Sequence, residues 1–134
     1  MKEDTLYNIL IAISVVAIIA ILILIFTTKT DEPFTELYFE DHTSLPENVT
    51  LGQSYPFSFS IHNVEQDVTR YEYSVYIVKE DGTTTIVDSS SLTLNNGETA
   101  TVEESFHLEE SFTSAEVVVE LNTGEEIHFW ITEQ

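Results

Sequence analysis

The sequence predicts an all-β domain, an immunoglobulin- or fibronectin-III-like antiparallel sandwich of seven or eight strands, held behind one N-terminal transmembrane helix. Three observations predict it. Leu6 to Phe26 is an unbroken apolar run without charge, Pro or Gly. From Phe34 onward apolar residues alternate with polar ones, the period of strands with one covered face. Turn-forming clusters, Asp81-Gly82, Asn95-Asn96-Gly97 and Asn122-Thr123-Gly124, punctuate that alternation at the short spacing of an antiparallel sandwich.

Leu6 to Phe26 comes first. As a helix it is about 31 Å long, the thickness of a bilayer's hydrocarbon core, and it satisfies its own backbone polar groups, which lipid cannot do. Tyr7 and Phe26 stand at its two ends as interfacial aromatics. A cleavable leader has a shorter apolar core and a small-residue cleavage site. The residues after Phe26 are Thr27, Thr28 and Lys29, so residues 1–29 are read as an uncleaved signal anchor. Lys2 and Lys29 balance the flanking charge, and the N-terminus is placed in the cytoplasm because the acidic, Ser/Thr-rich β region suits the outside. Residues 30–33 form a short linker closed by Pro33, which discourages continuation of the helix. The extracytoplasmic domain then spans residues 34–134.

Within it, Phe34 to Glu40 reads as the first strand and His42 to Thr50 as a turn-rich loop. Tyr55 to His62 places Tyr55, Phe57, Phe59 and Ile61 on one face. Thr69 to Lys79 does the same with Tyr71, Tyr73, Val75 and Ile77. Thr84 to Asp88 returns from the Asp-Gly turn, with Leu92 and Leu94 further on. Thr99 to Leu108 points Val102, Phe106 and Leu108 inward. Ala115 to Leu121 and Glu126 to Thr132 close the chain, the last with Ile127, Phe129 and Ile131 facing in. A β-barrel is the alternative topology.

Charge restricts the partners. The chain has 24 Asp and Glu against 4 Lys and Arg. All but two of the acids lie after residue 29, where Arg70 and Lys79 are the bases. Phosphate neutralisation is excluded for such a surface, so nucleic acid is not a partner, and anionic head groups repel it. The chain has no Cys, so no disulfide supports the core.

No motif carries chemistry. A nucleophile elbow, a phosphate-cradling glycine loop and a dinucleotide fingerprint are all absent. His42, His62, His107 and His128 have no metal-ligand spacing. Adjacent acids such as Glu103-Glu104, Glu109-Glu110 and Glu125-Glu126 point to opposite faces of a strand. The expectation is therefore a non-enzyme without cofactor or metal, and without a small-molecule ligand. Two features point to contact instead. Asn48-Val49-Thr50 is an N-glycosylation acceptor, with Asn48 the candidate site. Trp130 and His128 share the face opposite Ile127, Phe129 and Ile131, and Tyr76 and Val78 oppose the inward residues of their strand; together they form a candidate interaction patch.

The succession FTELY, LPENVTLGQ, a strand ending IHN, YEYSVYIV, LTLNNGETATVEESFHL and EIHFWIT resembles the C-terminal domain of an archaeal membrane-protein family known only as a domain of unknown function, number sixteen-sixteen, across residues 34–132. That family commonly has several membrane helices before the domain; here Leu6 to Phe26 stands alone. The resemblance implies an archaeal source and an extracytoplasmic sandwich, and it supplies no activity and no catalytic residues. The functional expectation is a single-pass, membrane-anchored binding or scaffolding protein, an accessory subunit of a membrane complex or of the cell envelope with a protein partner. The alternative is an ion- or solute-binding surface sensor that uses the acidic face.

Overall fold

The computed structural model describes residues 2–28 and 32–134. Lys29 and residues 30 and 31 of the linker lie outside the described residues. The chain divides into two units, Met1–Glu32 and Pro33–Gln134.

The first unit is one helix, α1 (Lys2–Thr27), in which no residue is buried. It is long and apolar enough to cross a bilayer and is compatible with a membrane anchor or a signal sequence. Ser14 turns its hydroxyl back to the Leu10 carbonyl at 2.9 Å, and Thr27 does the same to Ile23 at 2.8 Å, so these polar groups are satisfied within the helix.

The second unit is a two-sheet sandwich. Its strands are β1 (Phe34–Phe39), β2 (Asn48–Val49), β3 (Tyr55–Val64), β4 (Thr69–Lys79), β5 (Thr84–Leu94), β6 (Thr99–Phe106), β7 (Ser114–Leu121) and β8 (Glu126–Glu133). One sheet has the order β1-β3-β6 and the other β2-β8-β7-β4-β5. The chain changes sheet from β1 to β2 and back to β3, then between β3 and β4, between β5 and β6 and between β6 and β7, the crossed connections of an immunoglobulin-like sandwich. The alternation read from the sequence sets the core: Phe57, Phe59 and Ile61 of β3 meet Tyr71, Tyr73, Val75 and Ile77 of β4, Val117 and Val119 of β7, and Phe129 and Ile131 of β8. Aromatic rings tie the two sheets, Phe59 to Tyr73 at 5.5 Å and Phe57 to Phe129 at 5.4 Å between centroids, in the edge-to-face geometry that ring quadrupoles favour.

Four differences from the sequence reading have physical reasons. The turn-rich loop contains β2, which pairs in parallel with β8; two residues carry no periodicity. Thr84 to Leu94 is one strand interrupted by a bulge, since Val75 pairs with Asp88 and Tyr76 with Ile86, leaving Val87 as the extra residue. Leu108 is buried but lies past the end of β6. Ser60, on the polar face of β3, is fully buried because Glu40 accepts its hydroxyl at 2.6 Å and Thr101 lies 2.8 Å away.

Candidate functional site

The registers of the five-stranded sheet assemble the outward-facing residues into rows. Tyr76 on β4 lies beside Ile86 on β5 and Val118 on β7, and Val118 lies beside His128 on β8. The next row is Val78, Glu116 and Trp130. The row on the other side is Ser74, Glu120 and Glu126. The four patch residues named from the sequence thus share one face: Trp130 and His128 adjoin along β8, Tyr76 and Val78 along β4, and β7 runs between them.

Trp130 is 60% exposed and Ile86 69%, while Val118 is only 2% exposed and stands outside the core cluster. On the outer side of the sheet it stands in register between Tyr76 and His128. Alternation within a continuous apolar run such as Val117-Val118-Val119 does not mark the outward residue as buried, so sequence reasoning missed it, as it missed Ile86.

Carboxylates frame this face. The Tyr76 hydroxyl donates to Glu120 Oε2 at 3.0 Å. Its phenol is pushed up to about 12 by burial first, then by the Glu120 hydrogen bond and by the charges of Glu120, Glu126 and Glu116. His128 Nδ1 lies 3.2 Å from Glu116 Oε1, and its ring meets Trp130 edge-on at 6.2 Å. The result is an apolar strip with an exposed indole, flanked by three acids.

A second cluster lies where the edge strands of the two sheets approach. Asp88 on β5 and Glu104 on β6 both face inward and hydrogen-bond to each other. Burial foremost, then the Asp88 hydrogen bond and the Asp88 charge, raise the Glu104 carboxyl to about 7. Burial also raises Tyr73, with smaller contributions from the charges of Asp88 and Glu104. The inward-facing even positions of Thr99 to Leu108 include Glu104, so the sequence held a signal for this residue; its partner depended on the meeting of two sheets. Further along, Lys79 is buried and pairs with the exposed Glu110 at 3.2 Å.

The remaining sequence candidates are dispersed. His62 lies on the other sheet, 2.6 Å from Glu36. His107 follows the end of β6 and pairs with Glu109 at 3.6 Å, and His42 borders a hollow with Trp130 and Asn48. Asn48 is exposed on β2 and accepts the Thr132 hydroxyl at 3.0 Å. Among the described residues no three His, Asp or Glu side chains are grouped to hold a metal ion.

These strand registers and this sandwich define a class, the immunoglobulin-like β-sandwich. No family model matches the chain, and no curated protein does. Solved structures do. The CARDB domain of a Pyrococcus furiosus protein, in complex with di-metal ions, is similar with a TM-score of 0.61 at 10% identity, covering 78% of this chain and 90% of that one. A β-glucosidase from Listeria innocua is similar with a TM-score of 0.62 at 18% identity over 75% of this chain. The alkylpurine DNA glycosylase AlkC of Pseudomonas fluorescens, bound to DNA containing an abasic site analog, is similar with a TM-score of 0.57 at 14% identity over 73% of this chain. The match spans 16% of the glucosidase and 30% of the glycosylase. At these identities the likeness concerns the fold alone.

Proposed function

We propose that this chain is a single-pass membrane protein whose β-sandwich works outside the cell as a non-catalytic binding or scaffolding domain, an accessory subunit of a membrane or envelope assembly. The observation that carries this reading is the apolar strip on the outer face of the five-stranded sheet, with Trp130 60% exposed at its edge. Exposed indoles beside half-buried aromatics are the usual anchors of protein interfaces. Helix α1 supports anchoring, with the N-terminus cytoplasmic and Asn48 presented on the outside as a glycan acceptor. The archaeal family resembled by residues 34–132 is part of the same proposal. A second reading, a cation or solute sensor, has its best foothold in the inward-facing Asp88–Glu104 pair and in the metal-bound state of the similar Pyrococcus furiosus domain.

The test is recovery of the full chain from its membrane in mild detergents, followed by mass spectrometry, for the natural sequence and for Trp130→Ser/Ile86→Ser. Both side chains are exposed, so the unfolding midpoint should hold while a stoichiometric partner is lost. Recovery of the solitary chain in every detergent overturns the reading.

A further inference from the structure

We propose that the outer face of the five-stranded sheet docks a cationic polypeptide segment that also carries apolar side chains, its Lys or Arg groups lying on Glu116, Glu120 and Glu126 and its apolar groups on Trp130, Tyr76 and Ile86. This rests on the reading of that face as an interaction surface and specifies the chemistry of what covers it.

Charge complementarity selects the occupant. Glu116, Glu120 and Glu126 stand close enough around the Tyr76 phenol for all three charges to act on it. The two permanent cations of residues 32–134 are paired with other acids: Lys79 is buried against Glu110, and Arg70 lies 3.7 Å from Glu72. Among the described residues the base beside these three acids is His128, which pairs with Glu116; Arg70, on the same face of β4 but further along the strand, is held by Glu72. Glu120 and Glu126 lie directly opposite each other on β7 and β8, and among the described residues neither carboxylate is paired with a Lys, Arg or His. Like charges opposite one another on neighbouring strands destabilise a sheet, so a bound Lys or Arg removes a repulsion as well as adding an attraction.

The same reasoning disfavours the other occupants. A second copy of this chain brings another net charge of −20 onto a face that is already acidic. Anionic lipid is repelled in the same way. A purely polar cation leaves Trp130 and Ile86 in water, whereas a segment carrying both kinds of side chain covers the strip and neutralises its rim, the usual anatomy of a specific interface.

Trp130 is the chain's single tryptophan, so its fluorescence reports this face directly. The full chain, in vesicles of zwitterionic phosphatidylcholine, is titrated with a short Lys/Leu peptide free of Trp and Tyr. Two companions of the same length are a Lys/Ser peptide of equal charge and a Glu/Leu peptide of opposite charge. A saturable blue shift with the Lys/Leu peptide is expected, with affinity weaker by about tenfold for Lys/Ser and lost for Glu/Leu. Glu116→Gln/Glu120→Gln/Glu126→Gln keeps the shape of the face and should weaken Lys/Leu binding by about tenfold as well. Circular dichroism of the triple variant checks its fold, and its response in the same vesicles measures any contribution from lipid. The proposal is overturned if Lys/Ser binds as tightly as Lys/Leu, if Glu/Leu binds as well, if the triple variant binds unchanged, or if the free chain shows a concentration-dependent blue shift from self-association. Such a failure, with a partner still lost on Trp130→Ser/Ile86→Ser, leaves the binding role standing with a partner of different chemistry.

Discussion

Glu104 is the residue where the fold and its chemistry are most at odds. Its ordinary value is 4.5, and in the folded chain it titrates at about 7. The folded state therefore binds the proton more tightly than the unfolded one. The resulting stabilisation is full below about 4.5 and is lost as pH rises through about 7. On the acid side the sign reverses. Hydrogen bonds from the Thr113 and Ser114 amides lower Glu80, the Asn95 amide and side chain lower Glu98, and Ser111 and the Phe112 amide lower Glu133. Their contribution is present above the unfolded value and is lost as pH falls through the lower folded values. Stability should consequently peak in mildly acidic solution. Glu104→Gln keeps a neutral group beside Asp88. At pH 8 it should be more stable than the natural chain by on the order of 1 kcal/mol after allowance for solvent screening, and at about pH 4 the two should coincide. Thermal unfolding at both values checks this, and parallel pH slopes would sink it. Asn63 is the opposite case, a buried polar residue with every group in use. Its amide donates to the Asp67 carbonyl at 2.8 Å and the Leu94 carbonyl at 2.9 Å, and its carbonyl accepts the Glu65 amide at 2.8 Å. Asn63→Ala should cost about 2–3 kcal/mol by denaturant unfolding, against a few tenths for the exposed Asn48→Ala.

At the scale of elements, the strands were legible wherever one face is covered and the turns wherever Gly takes positive φ. Thr69 to Lys79 was read at its full extent because Tyr71, Tyr73, Val75 and Ile77 alternate with more exposed neighbours. The turn at Asn95-Asn96-Gly97 was legible for the same kind of local reason. Gly97 has φ +84° and its amide donates to the Asn63 carbonyl at 2.7 Å. A Cβ there would meet no atom within 4 Å, so the penalty of Gly97→Ala is one of backbone alone. The variant should lose about 1–2 kcal/mol without change in the circular dichroism spectrum, and an unaltered unfolding midpoint would contradict the assignment. What stayed hidden depends on distant partners. β2 exists because Asn48 and Val49 meet Thr132 and Glu133, more than eighty residues away along the chain. The candidate face shows the same division. Its members on β4 and β8 could be named from alternation, whereas the row that links them through Val118 and Ile86 required the register of four strands.

For the whole molecule the governing quantity is a net charge of −20, concentrated after residue 29. Its self-repulsion opposes the compact state, and salt screens it over a Debye length of about 10 Å at 0.1 M. The unfolding midpoint should therefore rise steadily as NaCl increases from about 0.01 M to about 0.5 M, the range over which that length falls from about 30 Å to a few ångströms. The identity of the cation then separates the two readings of the acidic surface. If the carboxylates act as a diffuse field that steers a basic partner, calcium and sodium at matched ionic strength should give nearly the same midpoint, with a modest general advantage for the divalent ion. If Asp88 and Glu104 form part of a cation site, calcium should add a saturable increment that follows the logarithm of its concentration above a dissociation constant, and Glu104→Gln should abolish it. A salt response with no saturable calcium increment places the acids with the binding face; a saturable increment removed by Glu104→Gln places them with a sensor.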